Sequence, residues 1–113
     1  MHEMSLCEGV LQLLEEHAVS QGFSRVKRVW LEIGALSGVE PEAMRFSFDA
    51  VMRESLADGA QLEIIHQPGE AWCMQCSRPV QVAARYQACP QCGSYQLQVT
   101  GGDEMRVKEL EVE

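Results

Sequence analysis

The sequence predicts an α+β fold in which two helices and three strands form one small domain, with a four-cysteine module inserted before the last strand. Two observations predict this class. Apolar residues recur at helical spacing in two segments and alternate in the segments that follow them, and four of the five cysteines fall within one short stretch. The chain has 113 residues, of which 46% are hydrophobic, so it can build one modest core and a small satellite.

The first segment with helical periodicity runs from Ser5 to about Gln21. Ser5 and Glu8 fit the capping-box pattern, in which each side chain accepts a backbone N–H at the start of a helix. We therefore expect the helix to begin at Ser5, and residues 1–4 to form a short free arm. The apolar stripe of this helix is Cys7, Val10, Leu11, Leu14 and Ala18.

A strand, a second helix and a second strand follow. Residues 25–33 alternate with period two, and Val29, Leu31 and Ile33 form the apolar face. Pro41 is expected at the first position of the second helix, because the N–H that proline lacks has no helical partner there. We expect that helix to extend to about Leu56, and the second strand to cover residues 61–66.

The cysteine module predicts a metal site. Cys73 and Cys76 are separated by two residues, as are Cys89 and Cys92, and twelve residues lie between the two pairs. Two such pairs can surround one tetrahedral ion, and zinc is favoured because nothing else in the sequence indicates redox work. Four cysteine ligands leave no open position for an activated water, so this zinc is expected to be structural and catalysis is disfavoured.

Composition also marks a boundary between two units. Pro68 and Gly69 separate the first strands from the cysteine-bearing stretch, and an apolar segment from Met105 to Val112 can return to the first sheet. We expect residues 1–68 plus 103–113 to form the α+β domain. Residues 69–102 are expected to form the zinc-binding ribbon module.

Charge excludes several classes of partner. With 9 basic and 17 acidic residues, the net charge of −8 disfavours nucleic acid and anionic membranes. The predicted ribbon has only Arg78, Arg85 and Glu70 as charged residues, so it offers no basic stripe.

No segment approaches the roughly 18 apolar residues of a membrane helix, and no secretion signal is evident. We expect the protein to be cytoplasmic. Because thiols stay reduced in the cytoplasm, metal ligation by the cysteines is favoured over disulfides.

The first three residues can form a chelate. The α-amine of Met1, the deprotonated backbone nitrogen of His2 and the His2 ring nitrogen can close adjacent rings around one ion, and Glu3 can complete the set. Nitrogen-rich square-planar ligation of this kind suits Ni(II) or Cu(II) and suits Zn(II) poorly.

Taken together, these motifs resemble the HypA/HybF family of nickel-insertion proteins for [NiFe] hydrogenases. The resemblance covers essentially the whole chain. It is carried by Met1-His2-Glu3, the stretch from Val29 to Gly34, the stretch from Arg45 to Phe48 and the two cysteine pairs. It implies a non-enzymatic nickel metallochaperone that holds structural zinc and carries nickel as transient cargo. It also implies that nickel is bound by His2 with Glu3 and the Met1 amine, and that Glu40 occupies the place of a further acidic ligand.

The resemblance implies two partners, the nickel-dependent GTPase HypB and the hydrogenase large subunit. We expect a monomer or a weak homodimer. One alternative of another class remains open, a zinc-ribbon protein-protein adaptor without a nickel role. A zinc enzyme is a poorer third reading, because four cysteine ligands close the metal site.

Overall fold

The computed structural model describes residues 2–113. These residues form two helices and six strands. These are α1 (His2–Gln21), β1 (Val26–Gly34), α2 (Pro41–Met52), β2 (Gln61–Gln67), β3 (Gly69–Cys73), β4 (Arg78–Val82), β5 (Leu97–Gly101) and β6 (Met105–Val112).

The first sheet has the strand order β2-β1-β6. The central strand β1 pairs in parallel with β2 and antiparallel with β6, which returns from beyond the cysteine module as the sequence predicts. Val29, Leu31 and Ile33 of β1 are at most 3% exposed and pack with residues of both helices. The period-two pattern is therefore confirmed, because alternate residues of a strand face one side of the sheet.

The second sheet has the order β4-β3-β5 and builds a separate small core. Both of its pairings are antiparallel. Its core contains alternate residues of β3 and β4 together with Leu36, which comes from the loop between β1 and α2. The α+β class with a cysteine module inserted before the last strand is confirmed by this arrangement.

The two sheets are joined by a close backbone contact that involves Gly34, Pro68 and Gly102. A Cβ added at Gly34 would overlap the carbonyl group of Gly102, and a Cβ at Gly102 would overlap the carbonyl oxygen of Pro68. Gly102 also has a φ of 76°, which L side chains rarely adopt. Glycine is thus required on both sides of this junction.

The predicted start of the first helix is wrong. Within the described residues α1 begins at His2, so Ser5 and Glu8 lie inside the helix and residues 2–4 are not a free arm. Glu3 is only 6% exposed, and its carboxylate accepts the backbone N–H of Glu40 over 3.2 Å. This tertiary contact holds the first turn in place, which a local capping pattern cannot reveal. Met1 lies outside the described residues.

The second helix begins as predicted but ends earlier. Pro41 occupies its first turn, whereas the last helical residue is Met52 and not Leu56. Glu54 adopts a φ of 62°, and the Ser55 hydroxyl donates to the Met52 carbonyl while accepting the Ala57 N–H. These contacts form a turn in place of a final helical turn. Among residues 2–113, no helix is both long and apolar enough to cross a membrane.

Candidate metal sites

The four cysteines of the second module converge on one point. The Sγ atoms of Cys73, Cys76, Cys89 and Cys92 all lie within 4.8 Å of one another. The Sγ atoms of Cys73 and Cys92 are 3.6 Å apart, and those of Cys76 and Cys89 are 3.9 Å apart. A tetrahedral ion with metal-sulfur bonds of about 2.3 Å places its ligands about 3.8 Å apart, so these spacings fit such an ion.

Each cysteine pair lies in a tight turn that aims backbone N–H groups at sulfur. The N–H of Cys76 donates to the Sγ of Cys73 over 3.3 Å, and the N–H of Gln91 donates to the Sγ of Cys89 over 3.4 Å. In the second turn Gly93 has a φ of 79°, and its N–H donates to the carbonyl oxygen of Cys89. Such outer hydrogen bonds orient thiolate ligands and stabilise their charge.

Electrostatics within the cluster favour a bound cation. Burial raises the pKa of Cys89, but hydrogen bonds from the backbone N–H groups of Cys92 and Gln91 outweigh it and lower the pKa to about 7. The hydrogen bond of Cys76 with Cys92, together with burial, raises the pKa of Cys76 to about 12. Like charges on neighbouring thiolates oppose one another, so a cation among the four sulfurs would favour their ionised forms. The four cysteines have the ligand type and spacing of a structural metal site.

The second group of predicted ligands lies at the start of α1. The His2 side chain is 57% exposed, whereas that of Glu3 is 8% exposed, and the His2 Nδ1 lies 3.9 Å from the Glu3 Oε2. An accessible imidazole therefore stands beside a buried carboxylate. The third predicted member, Met1, lies outside the described residues.

The Glu3 carboxylate is held in its charged form. The backbone N–H of Glu40 lowers the pKa of Glu3 most, its own backbone N–H and the nearby His2 lower it further, and burial opposes them. A carboxylate is a negative oxygen ligand only when ionised. Glu3 therefore presents a charged oxygen next to the His2 ring.

The backbone and the side chain of Glu40 make hydrogen bonds with different partners. Its N–H donates to Glu3, whereas its Oε2 accepts the N–H of Ala43 over 2.7 Å and so caps α2. The structure thus brings Glu3 to the backbone of Glu40. The sequence analysis did not predict this contact. The only local signal for it was Pro41, which marks Glu40 as the residue before a helix.

Comparison with known proteins identifies the family of this chain. A family model described as "HypA: Hydrogenase/urease nickel incorporation, metallochaperone, hypA" matches residues 1–112. The chain belongs to the HypA family. Hydrogenase maturation factor HypA of Azotobacter chroococcum mcd 1 is 66% identical over 113 residues, which is all of both chains. The factor of the same name from Albidiferax ferrireducens is 67% identical over the same full length.

A solved structure agrees with these sequence matches. The solution structure of the Ni metallochaperone HypA from Helicobacter pylori matches with a TM-score of 0.70 and 32% identity, and the match covers 99% of this chain and 97% of that one. The resemblance inferred from the motifs is therefore confirmed. At the level of the HypA family, the chain is a nickel-incorporation metallochaperone of hydrogenase maturation.

Proposed function

We propose that this protein binds Ni(II) at its N-terminus and delivers it during maturation of [NiFe] hydrogenase. The observation that carries the proposal is the accessible His2 ring beside the charged Glu3 carboxylate at the first turn of α1. An exposed site suits a carrier, because a cargo ion must enter and leave.

The start of a helix is chemically suited to this chelate. The first four N–H groups of a helix have no carbonyl partner within it, so the amide nitrogen of His2 can lose its proton without breaking a helical hydrogen bond. The proposed ligands are the α-amine of Met1, the amide and ring nitrogens of His2, and Glu3. Such a nitrogen-rich set favours square-planar Ni(II) over Zn(II).

Glu40 is a further candidate ligand, implied by the resemblance. The Glu40 Oε2 accepts the Ala43 N–H, so Glu40 would join the ligand set through Oε1, through the remaining lone pair of Oε2, or by giving up the cap.

We assign zinc to the four-cysteine site. Four thiolates complete a tetrahedral Zn(II) and leave no position for an activated water, which supports a carrier and not an enzyme. We propose that residues 69–102 form the zinc-binding unit and residues 1–68 plus 103–113 the nickel-binding unit. A ribbon of this size buries little apolar surface, so metal binding supplies much of its folding free energy.

The proposed partners are the nickel-dependent GTPase HypB and the hydrogenase large subunit. The net charge of −8 disfavours nucleic acid and anionic membranes as partners and is compatible with protein partners that have basic surfaces. We propose that the protein acts in the cytoplasm, as a monomer or weak homodimer.

Equilibrium dialysis against Ni(II) tests the proposal and separates it from the adaptor alternative. Untagged, zinc-loaded protein is expected to bind about one nickel ion per chain, as one chelate at one N-terminus requires. His2→Ala should abolish this binding while zinc content stays unchanged. His17→Ala is the matched control, since His17 is an exposed histidine further along α1, and it should bind nickel normally. Equal nickel binding by the His2 variant and the wild type would refute the site.

A further inference from the structure

The two sheets leave four strands at their edges, namely β2, β6, β4 and β5. Edge strands carry unpaired backbone groups, and charged residues or proline commonly protect them from pairing with another chain. β2 contains Glu63, β4 contains Arg78 and Pro79, and β6 contains four charged residues. Among residues 2–113, β5 is the edge strand whose residues include neither a charge nor a proline.

Backbone groups of β5 face its open side. The Gln96 carbonyl oxygen accepts the N–H of the residue after β3 over 2.9 Å, so Gln96 directs its backbone groups toward β3. Because this direction alternates along a strand, Leu97 and Val99 direct theirs away from β3. The Leu97 N–H already donates to the Tyr95 carbonyl oxygen. The Val99 N–H and the carbonyl oxygens of Leu97 and Val99 therefore face the side on which β5 has no neighbouring strand within residues 2–113.

An apolar groove adjoins the same edge. It has a volume of about 210 Å³, and Tyr86, Tyr95, Leu97 and Val99 contribute to its lining. Tyr95, Leu97 and Val99 are alternate residues, so their side chains lie on one face. Tyr86 is 94% exposed and Tyr95 is 76% exposed. Tyrosines are enriched at protein interfaces, so this groove is suited to contact with the side chains of an added strand.

Charge favours a second copy of this chain as the occupant of this edge. The cysteine module, residues 69–102, contains only Arg78, Arg85 and Glu70 as charged residues, so nearly all of the net charge of −8 lies in the rest of the chain. Two copies repel each other through surfaces of like charge. That repulsion is weakest where both surfaces are close to neutral, as they are at the module.

We propose that β5 pairs antiparallel with β5 of a second copy, so that two cysteine modules share one six-stranded sheet. A two-fold axis between antiparallel strands places one residue opposite itself. With Gln98 at this place, Leu97 of each copy lies opposite Val99 of the other, and the Val99 N–H donates to the opposite Leu97 carbonyl oxygen. This register uses residues 96–99, which precede the irregularity between Val99 and Gly101.

The side chains agree with this register. Leu97 and Val99 form apolar cross-strand pairs on the face of the groove, and the two exposed Gln98 amides meet on the other face, where each can donate and accept. One pair of short strands buries less than the roughly 1,600 Å² of a standard stable interface, so the dimer is expected to be weak. The inference goes beyond the proposed nickel function and does not depend on it.

Analytical ultracentrifugation of zinc-loaded protein tests the pairing, over about 1 μM to about 1 mM, the range of weak association. The average mass of the wild type is expected to rise from 12.6 kDa toward that of a dimer. Gln98→Lys places two positive charges opposite each other and should weaken association at least about tenfold. Gln81→Lys is the matched control, since it adds the same charge at an exposed position of β4 and should associate like the wild type.

A mixture of two variants tests the register itself. Gln98→Glu should also associate poorly alone, whereas an equimolar mixture with Gln98→Lys should regain association, because lysine then lies opposite glutamate. Unchanged zinc content shows that each variant keeps the module folded.

Three results would overturn the pairing: a wild type that is monomeric at every concentration, equal association of the Gln98→Lys and Gln81→Lys proteins, or a mixture that associates no better than its components. The first would leave the β5 edge to a different protein. Failure of the proposed nickel function is distinguishable, since it appears in the dialysis of His2→Ala and leaves the masses unchanged.

Discussion

The backbone N–H of Leu36 donates to the carbonyl oxygen of Gly102 over 2.7 Å, which joins the loop after β1 to the end of the cysteine module. The Leu36 side chain is 3% exposed and packs in the core of that module. The Arg85 guanidinium donates to the Leu36 carbonyl oxygen over 3.0 Å. One residue of the loop between β1 and α2 is therefore part of the core of the second sheet.

Leu36→Ala is expected to lower the free energy of unfolding by about 2–5 kcal/mol, because it removes a buried leucine and leaves a cavity. Urea denaturation of the zinc-loaded protein measures this loss. Leu13→Ala is the control, since Leu13 is 37% exposed on α1 and should cost much less. Equal losses in the two variants would show that Leu36 stabilises the fold no more than a partly exposed leucine does.

Local sequence patterns correctly predicted several features of the fold. Val29, Leu31 and Ile33 alternate and are buried, and Pro41 fixed the start of α2 correctly. The cysteine spacing likewise predicted the convergence of four sulfurs. For the strand and the helix the signal lies within a few residues of sequence, and for the cysteines it lies in the spacing within each pair and between the two pairs.

Contacts between distant segments were not predictable from the sequence. The first turn of α1 depends on the bond from Glu3 to Glu40, and the role of Leu36 depends on a module that begins some thirty residues later. Glu32 lies on the polar face of β1, yet it is 6% exposed. Its burial follows from Arg106 and Gln67 on the two neighbouring strands, which a reading of β1 alone cannot supply.

Cys76→Ala is expected to release most of the zinc and to unfold the cysteine module, because three thiolates hold the ion less well and metal binding supplies folding free energy. Zinc content and limited proteolysis between Gly69 and Val99 report the two effects. Cys7→Ala removes a buried thiol outside the cluster and should keep its zinc. Normal zinc content and protease resistance in the Cys76 variant would argue against four-cysteine ligation.

Glu32 is expected to make stability dependent on acid pH. Its hydrogen bond with Arg106 lowers the pKa of Glu32 below the usual 4.5, and Gln67 adds a second donor. A carboxylate with a lowered folded pKa stabilises the fold fully above pH 4.5 and loses that contribution as the pH falls through its folded pKa.

Glu32→Gln should therefore be less stable than the wild type at neutral pH, and the difference should shrink as the pH falls below 4.5. Urea midpoints measured across this range provide the test. Glu109→Gln, at an exposed position on β6, should show little difference at any pH. A deficit in Glu32→Gln that stays constant into strong acid would exclude this ionisation as the cause.

The most direct test of the proposed N-terminal nickel site moves the α-amine without changing any native side chain. A single glycine added before Met1 separates the amine from the His2 amide and breaks the sequence of chelate rings. Calorimetry with Ni(II) at about pH 7.5, near the range where α-amines titrate, compares native and extended proteins, both loaded with zinc. The proposal predicts that the extended protein keeps its fold and zinc but loses most of its nickel affinity. Equal affinity in the two proteins would contradict ligation by the Met1 amine.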